Sequence, residues 1–167
     1  MTKSHFPSAL LVFLIVISPE LQAQSVTNFS GTWTVDTAKS QPGPGGQFMD
    51  ADKILRITQN AASITFATTY PSSGNFVATY KYSLDGKVRT QKRDIGTEKI
   101  SSQWSADNKV LTITTVTTTE TKNGPDDSVG KESYRLSDDR RTLINESSLE
   151  SKQLAKITIV TVYNKRK

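Results

Sequence analysis

Short runs in which apolar and polar residues alternate fill most of the chain after residue 28, and this period of two predicts β-strands. In the first run, residues 29–36, the side chains of Phe29, Trp33 and Val35 share one face, and polar side chains form the other. Later runs rich in Thr, Val, Ile and Tyr are separated by turn residues. They cover residues 54–58, 63–70, 76–84, 99–104, 110–120, 133–136, 141–149 and 155–163.

Strands that are this short and this regularly spaced predict an all-β domain. A series of adjacent hairpins exposes two strand edges when the sheet stays open, whereas closing the sheet pairs those edges. The expected fold is therefore an up-and-down antiparallel β-barrel of about eight to ten strands. Residues 37–53, rich in Gly and Pro, predict a long loop with one short helical turn, and residues 122–128 predict a turn.

The N-terminus has the pattern of a secretory signal peptide. Lys3 supplies a positive charge, residues 9–17 are an unbroken apolar run, Pro19 interrupts it, and Ala23 is a small residue at the expected cleavage point. The apolar run is too short to span a bilayer, which takes about 20 apolar residues. We expect residues 1–23 to be removed and residues 24–167 to form one secreted or periplasmic domain.

The composition excludes several kinds of chemistry. The chain is 35% hydrophobic and 22% charged, which is too apolar for a disordered protein. It has no Cys, and its one His, His5, lies in the predicted signal peptide. The mature chain therefore offers neither an imidazole nor a thiolate to a reaction or a metal. We expect no enzyme activity, no cofactor and no metal site.

The formal net charge of +5 is spread along the chain and is densest at residues 87–93. Nucleic-acid binding pairs such a strip with exposed aromatic residues, and a secreted location argues against it. We therefore expect no nucleic-acid partner and no stable membrane span, and we expect a monomer.

Several ordered motifs resemble a known superfamily. The run 28–36 contains Gly31-Thr32-Trp33 and is followed by Lys39-Ser40. Further motifs are Leu-Asp-Gly-Lys at 84–87, Trp104 before a Leu-x-Ile strand, the hairpin 136–143 and Val-Tyr-x-Lys at 162–165. Together they resemble the lipocalin-like barrels of the calycin superfamily, in particular secreted bacterial members whose function is not established. The resemblance implies a barrel that holds a small ligand.

Within such a barrel, Trp33 is expected to be a core residue that closes one end. Gly31 would let a neighbouring backbone approach closely. A basic side chain of the last strand, Lys165 or Arg166, can stack on the indole ring. This role is structural, so Trp33 is not a candidate ligand contact.

The best candidate site lies on the run 76–84. Phe76, Tyr80 and Tyr82 share one face, and we add Arg89 and Trp104 as candidate ligand contacts. A two-residue turn at Asp85-Gly86 would place Arg89 opposite Tyr82, where the pair suits an anionic head group. A bulged turn would instead place Val88 opposite Tyr82 and direct Arg89 to solvent, because a slip of one residue reverses the face. The bulged turn is the favoured alternative, with a core tyrosine and a surface arginine.

The leading functional hypothesis is non-enzymatic binding of a small hydrophobic or amphipathic molecule inside the barrel. The alternative is a structural or interaction protein whose barrel is filled by its own side chains. Inward Thr and Ala residues leave space, and the Thr-rich run 112–119 favours a cavity.

Overall fold

The computed structural model describes residues 25–44, 51–94, 96–122 and 124–166, so the predicted signal peptide lies outside the described residues. Ten β-strands and a short 3-10 turn at Pro71–Ser73 are described. The strands are β1 (Gly31–Val35), β2 (Ile54–Gln59), β3 (Ser63–Tyr70), β4 (Phe76–Ser83), β5 (Arg89–Arg93), β6 (Gly96–Trp104), β7 (Val110–Thr121), β8 (Gly124–Leu136), β9 (Thr142–Ser151) and β10 (Ile157–Lys165). Among these residues we find no helix whose length and apolar character would suit a membrane crossing.

The strands form one antiparallel sheet in the order β4-β3-β2-β1-β10-β9-β8-β7-β6-β5. The first strand pairs with the last, and the sheet curls until its β4 edge approaches β6, so the predicted all-β up-and-down barrel is confirmed. Among the ten described strands, β4 and β5 follow one another without pairing, which leaves one seam in the wall. The hydroxyl of Ser102 on β6 donates to the carbonyl of Ser83 on β4 and closes this seam at one end.

The seam corrects the predicted hairpin at Asp85-Gly86. Both registers considered from the sequence pair β4 with the strand that follows it, and both are wrong. Arg89 instead lies opposite Ile100 of β6, and because opposite residues share a face, it is on the inner face of the sheet. Its side chain remains about half exposed at the seam. Arg89 therefore lies on the inner face of the sheet by its register, although its side chain is accessible to solvent.

The predicted turn at residues 122–128 is also wrong over most of its length, because β8 begins at Gly124. Pro125 pairs with Glu120 of β7, whereas pairing of β8 with β9 begins only at Ser128. Pro125 therefore lies beyond the end of β9. On that side of β8 no neighbouring strand requires the backbone N–H that proline lacks.

The closed end of the barrel is packed around Trp33, which is fully buried beside Phe29, as predicted. The indole Nε1 donates to the carbonyl oxygen of Phe29 at 3.1 Å, so the buried N–H has a partner. Lys165 places its ammonium 5.3 Å from the centre of the indole ring. A Cβ at Gly31 would lie 3.1 Å from Lys165 Cε, so the glycine makes room for this side chain rather than for a backbone.

Candidate functional site

Every tyrosine of the chain faces one internal cavity. Its volume is about 420 Å³, and its walls come from inward positions of β2, β3, β4, β8, β9 and β10. The five tyrosines in its lining are Tyr70, Tyr80, Tyr82, Tyr134 and Tyr163. The alternation of each strand explains this gathering, because residues two apart point to the same side of the sheet.

One side of the cavity is aromatic. Phe66 stacks on Tyr134 with ring centroids 4.6 Å apart, and it meets Tyr82 edge-to-face at 5.9 Å. Leu55, which is buried, adds aliphatic surface to the same lining. This side can pack against a flat or chain-like apolar body.

The other side carries polar groups on β8, β9 and β10. The Tyr134 hydroxyl donates to the Glu132 carboxylate at 2.5 Å. Asn145 lies opposite Tyr134 in the β8–β9 ladder and opposite Thr161 in the β9–β10 ladder. The Asn145 side-chain amide nitrogen is buried and has no hydrogen-bond partner among the described residues. A buried donor without a partner is uncommon and calls for an explanation.

A lysine and a glutamate give the cavity charges of both signs. Lys53 and Glu132 line it together, and the Lys53 ammonium lies 5.6 Å from the centre of the Tyr163 ring. Burial raises the pKa of Tyr163, which Glu132 and Tyr70 raise further and Lys53 opposes by its charge and a hydrogen bond.

Two phenols of the cavity, those of Tyr82 and Tyr134, stay protonated. Burial raises the pKa of Tyr134 well above 10, and the carboxylate of Glu132 raises it further. Burial, with the same carboxylate, also raises the pKa of Tyr82. Both side chains therefore keep hydroxyl groups, rather than phenolates, throughout the physiological range.

A second hollow of about 430 Å³ occupies the seam between β4 and β5. We call this hollow the slot, and three cationic residues line it: Lys81, Lys87 and Arg89. Tyr82 borders both the slot and the internal cavity. The Arg89 guanidinium binds both carboxylate oxygens of Asp85, at 2.9 and 2.8 Å, and its hydrogen bonds hold the pKa of Asp85 well below its usual range.

The five candidate contacts proposed from the sequence divide between four places. Tyr80 and Tyr82 line the cavity, and Arg89 lines the slot. Phe76 is 61% exposed on the β4 edge and stacks on Tyr70 at 6.2 Å. Trp104 lies at the closed end, where its ring stacks on Phe29 at 5.6 Å. Ligand binding by these five residues stays a prediction.

Sequence reasoning missed the polar residues of β8 and β9. Glu132 and Asn145 share the inner face with the buried Tyr134 and Leu143, two residues away from each on its own strand. This alternation is visible in the sequence, but both residues are polar types that usually lie on the outer face. Among the described residues there is no group of three or more side chains that could hold a metal ion.

Comparison with known proteins finds similarity in fold but none in sequence family. No protein-family model matches this chain, and no curated protein matches its sequence. Among solved structures, it is similar to the zebrafish ileal bile acid-binding protein complexed with cholic acid, with a TM-score of 0.51 and 16% sequence identity. The match covers 83% of this chain and 98% of that chain. At this identity the likeness shows the fold alone, an all-β, calycin-like barrel of antiparallel strands.

Proposed function

We propose that this protein is a non-enzymatic binding protein that holds one small amphipathic molecule inside its barrel. The observation that carries the proposal is the internal cavity of about 420 Å³, with aromatic rings on one side and hydrogen-bonding groups on the other. Ligand pockets usually measure about 300–1,000 Å³ and combine apolar walls with a few polar groups. A side-chain-filled barrel, the alternative from the sequence, would leave no such space.

The structural comparison supports this proposal at the level of architecture. The bile acid-binding protein with the similar fold holds cholic acid, an amphipathic molecule. The identity of 16% transfers no contact residues, so the ligand chemistry of this chain has to come from its own cavity.

The proposal also includes export of the protein from the cytoplasm. Residues 1–23 have the signal-peptide pattern, and the protein would therefore meet its ligand outside the cytoplasm, in the periplasm or the medium. The barrel would shield an apolar molecule from water in that compartment.

Native mass spectrometry of the purified mature protein tests the proposal. We expect a co-purified small molecule, or uptake of one from a lipid extract, in a one-to-one complex. Ser147→Phe should block uptake because Ser147 lines the cavity. Ser148→Phe is the matched control, since Ser148 is the next residue on β9 and faces outward.

The two variants separate the cavity from general effects of an added ring. Equal uptake by wild type and Ser147→Phe would place any ligand elsewhere. Failure of the wild type to take up any molecule from the extract would favour the structural alternative.

A further inference from the structure

We infer that the cavity selects a ligand whose buried polar group is a neutral hydroxyl, and that Asn145 and Glu132 hold this group. The inference rests on the proposed binding function and names the ligand chemistry of the same site. An alcohol would bind in preference to the carboxylic acid of the same chain length.

The amide of Asn145 is a buried donor that needs an acceptor. The residue is 8% exposed, it lines the cavity, and its Nδ2 donor has no partner among the described residues. An unmatched buried donor is unfavourable unless something accepts from it. An oxygen atom of a bound ligand is the acceptor that this position can receive.

The carboxylate of Glu132 lies near this amide and offers an acceptor. In the ladder of β8 and β9, Tyr134 lies opposite Asn145 and Glu132 lies opposite Ser147. Glu132 and Asn145 are thus diagonal neighbours on the inner face, a relationship that corresponds to about 7–8 Å. The Glu132 carboxylate is an acceptor with room for more than the one hydrogen bond from Tyr134.

A ligand hydroxyl can bind Asn145 and Glu132 together. A hydroxyl both accepts and donates hydrogen bonds. One ligand hydroxyl can therefore accept from the Asn145 amide and donate to the Glu132 carboxylate. A ligand carboxylate can accept from Asn145, but it brings a second negative charge close to Glu132. Its ionised form is therefore disfavoured at this position.

Lys53 does not reverse this preference. Its ammonium lies over the Tyr163 ring and contributes a hydrogen bond that lowers the pKa of that phenol, so it is engaged within the wall. With one lysine and one glutamate, the formal charge of the cavity lining is zero. A single anion entering it would make the lining and ligand together carry a net charge, whereas an alcohol would not.

The test compares decanol with decanoate at pH about 8 by calorimetric titration of the mature protein, where the acid is ionised. We expect wild-type protein to bind decanol at least about tenfold more tightly, the ratio that one good hydrogen bond or one unfavourable charge contact supplies. Asn145→Leu should weaken decanol binding about tenfold, with a melting temperature equal to or above that of the wild type.

Glu132→Gln is the charge variant. Glutamine keeps an acceptor for Tyr134 and removes the negative charge, so decanoate affinity should rise about tenfold while decanol affinity changes little. Glu146→Gln is the matched control, because Glu146 is exposed on the outer face of β9 next to Asn145. It should leave both affinities unchanged.

The outcomes distinguish this inference from the proposed function. Tighter binding of decanoate than of decanol by the wild type overturns the inference and leaves the binding function in place. The inference also fails if Glu132→Gln does not change the ratio of the two affinities, or if a folded Asn145→Leu protein binds decanol as well as the wild type. Absence of binding of either probe, together with no uptake from a lipid extract, contradicts both.

Discussion

Lys165 and Trp33 are register partners across the pairing of β1 with β10, and the lysine ammonium lies 5.3 Å from the centre of the indole ring. The contact covers one face of the indole ring of a tryptophan that is itself fully buried. The two residues therefore join the first strand to the last at the closed end of the barrel, where the wall has no seam.

Replacing Trp33 with alanine should destabilise the protein severely. Removal of a buried aromatic side chain costs about 3–5 kcal/mol, out of a typical total of about 5–15 kcal/mol. Chemical denaturation should show a large loss or no folded baseline. Lys165→Gln is the control, with an expected cost of about 0.5–1 kcal/mol for the lost cation–π contact. A Trp33→Ala protein that melts like the wild type would contradict the position of β1 in the core.

Alkaline pH should destabilise the fold through its buried phenols. The raised pKa of Tyr134 means that the folded chain keeps a proton above pH about 10 that the unfolded chain releases. The contribution of Tyr134 to stability is complete below that pH and falls by about 1.4 kcal/mol per pH unit above it. Urea unfolding between pH about 9 and 11 measures the decline.

Tyr134→Phe should make that alkaline decline shallower, because phenylalanine has no proton to lose. Tyr80→Phe removes a phenol that is 55% exposed and serves as the control. An unchanged slope in Tyr134→Phe would show that the buried phenol is not responsible for the decline.

Gly96→Ala should disrupt the start of β6. A Cβ at this position would lie 1.9 Å from the carbonyl oxygen of Thr118 on β7, and the backbone φ of +155° is one that other residues rarely adopt. Overpacking and backbone strain each cost about 1–3 kcal/mol. Gly130→Ala is the matched control on β8, since its Cβ would make only an ordinary contact of 3.8 Å with Thr115. Equal unfolding midpoints for the two variants would refute this account.

Export and cleavage remain a prediction of the sequence. N-terminal sequencing of the secreted or periplasmic protein should begin at or near Gln24. Recovery of the chain from the membrane fraction with Met1 intact would contradict the signal peptide, and it would also remove the argument for a ligand met outside the cytoplasm.

The alternation of side chains predicted the strands where one face is buried. The bounds of β3 agree with the sequence pattern because the core residues Ile64 and Phe66 alternate with smaller, less buried side chains. β5, with sequence RTQKR, is exposed along its length and has no apolar face to detect. The seam was also missed, because a local pattern does not encode whether two consecutive strands pair.

The candidate site was predicted only in part, because a local sequence pattern shows alternation within a strand but not which strands face each other. Tyr80 and Tyr82 belong to an aromatic alternation and do line the cavity. Glu132 and Asn145 contribute on the opposite wall, and their importance depends on strands that are far apart in sequence order facing each other across the barrel. Only tertiary structure brings these two sets of residues together.

The unpaired seam also changes how the chain could be connected. β1 begins where β10 ends, so a short linker between them would make an ordinary hairpin, and new ends placed between β4 and β5 would interrupt no ladder. In such a circular permutant the order along the chain would equal the order in the sheet, and each strand would pair with its sequence neighbours. In the natural order, Asp36 and Asn164 hydrogen-bond although they are 128 residues apart. Because closing so long a loop costs entropy and slows folding, the permutant should reach the same barrel faster.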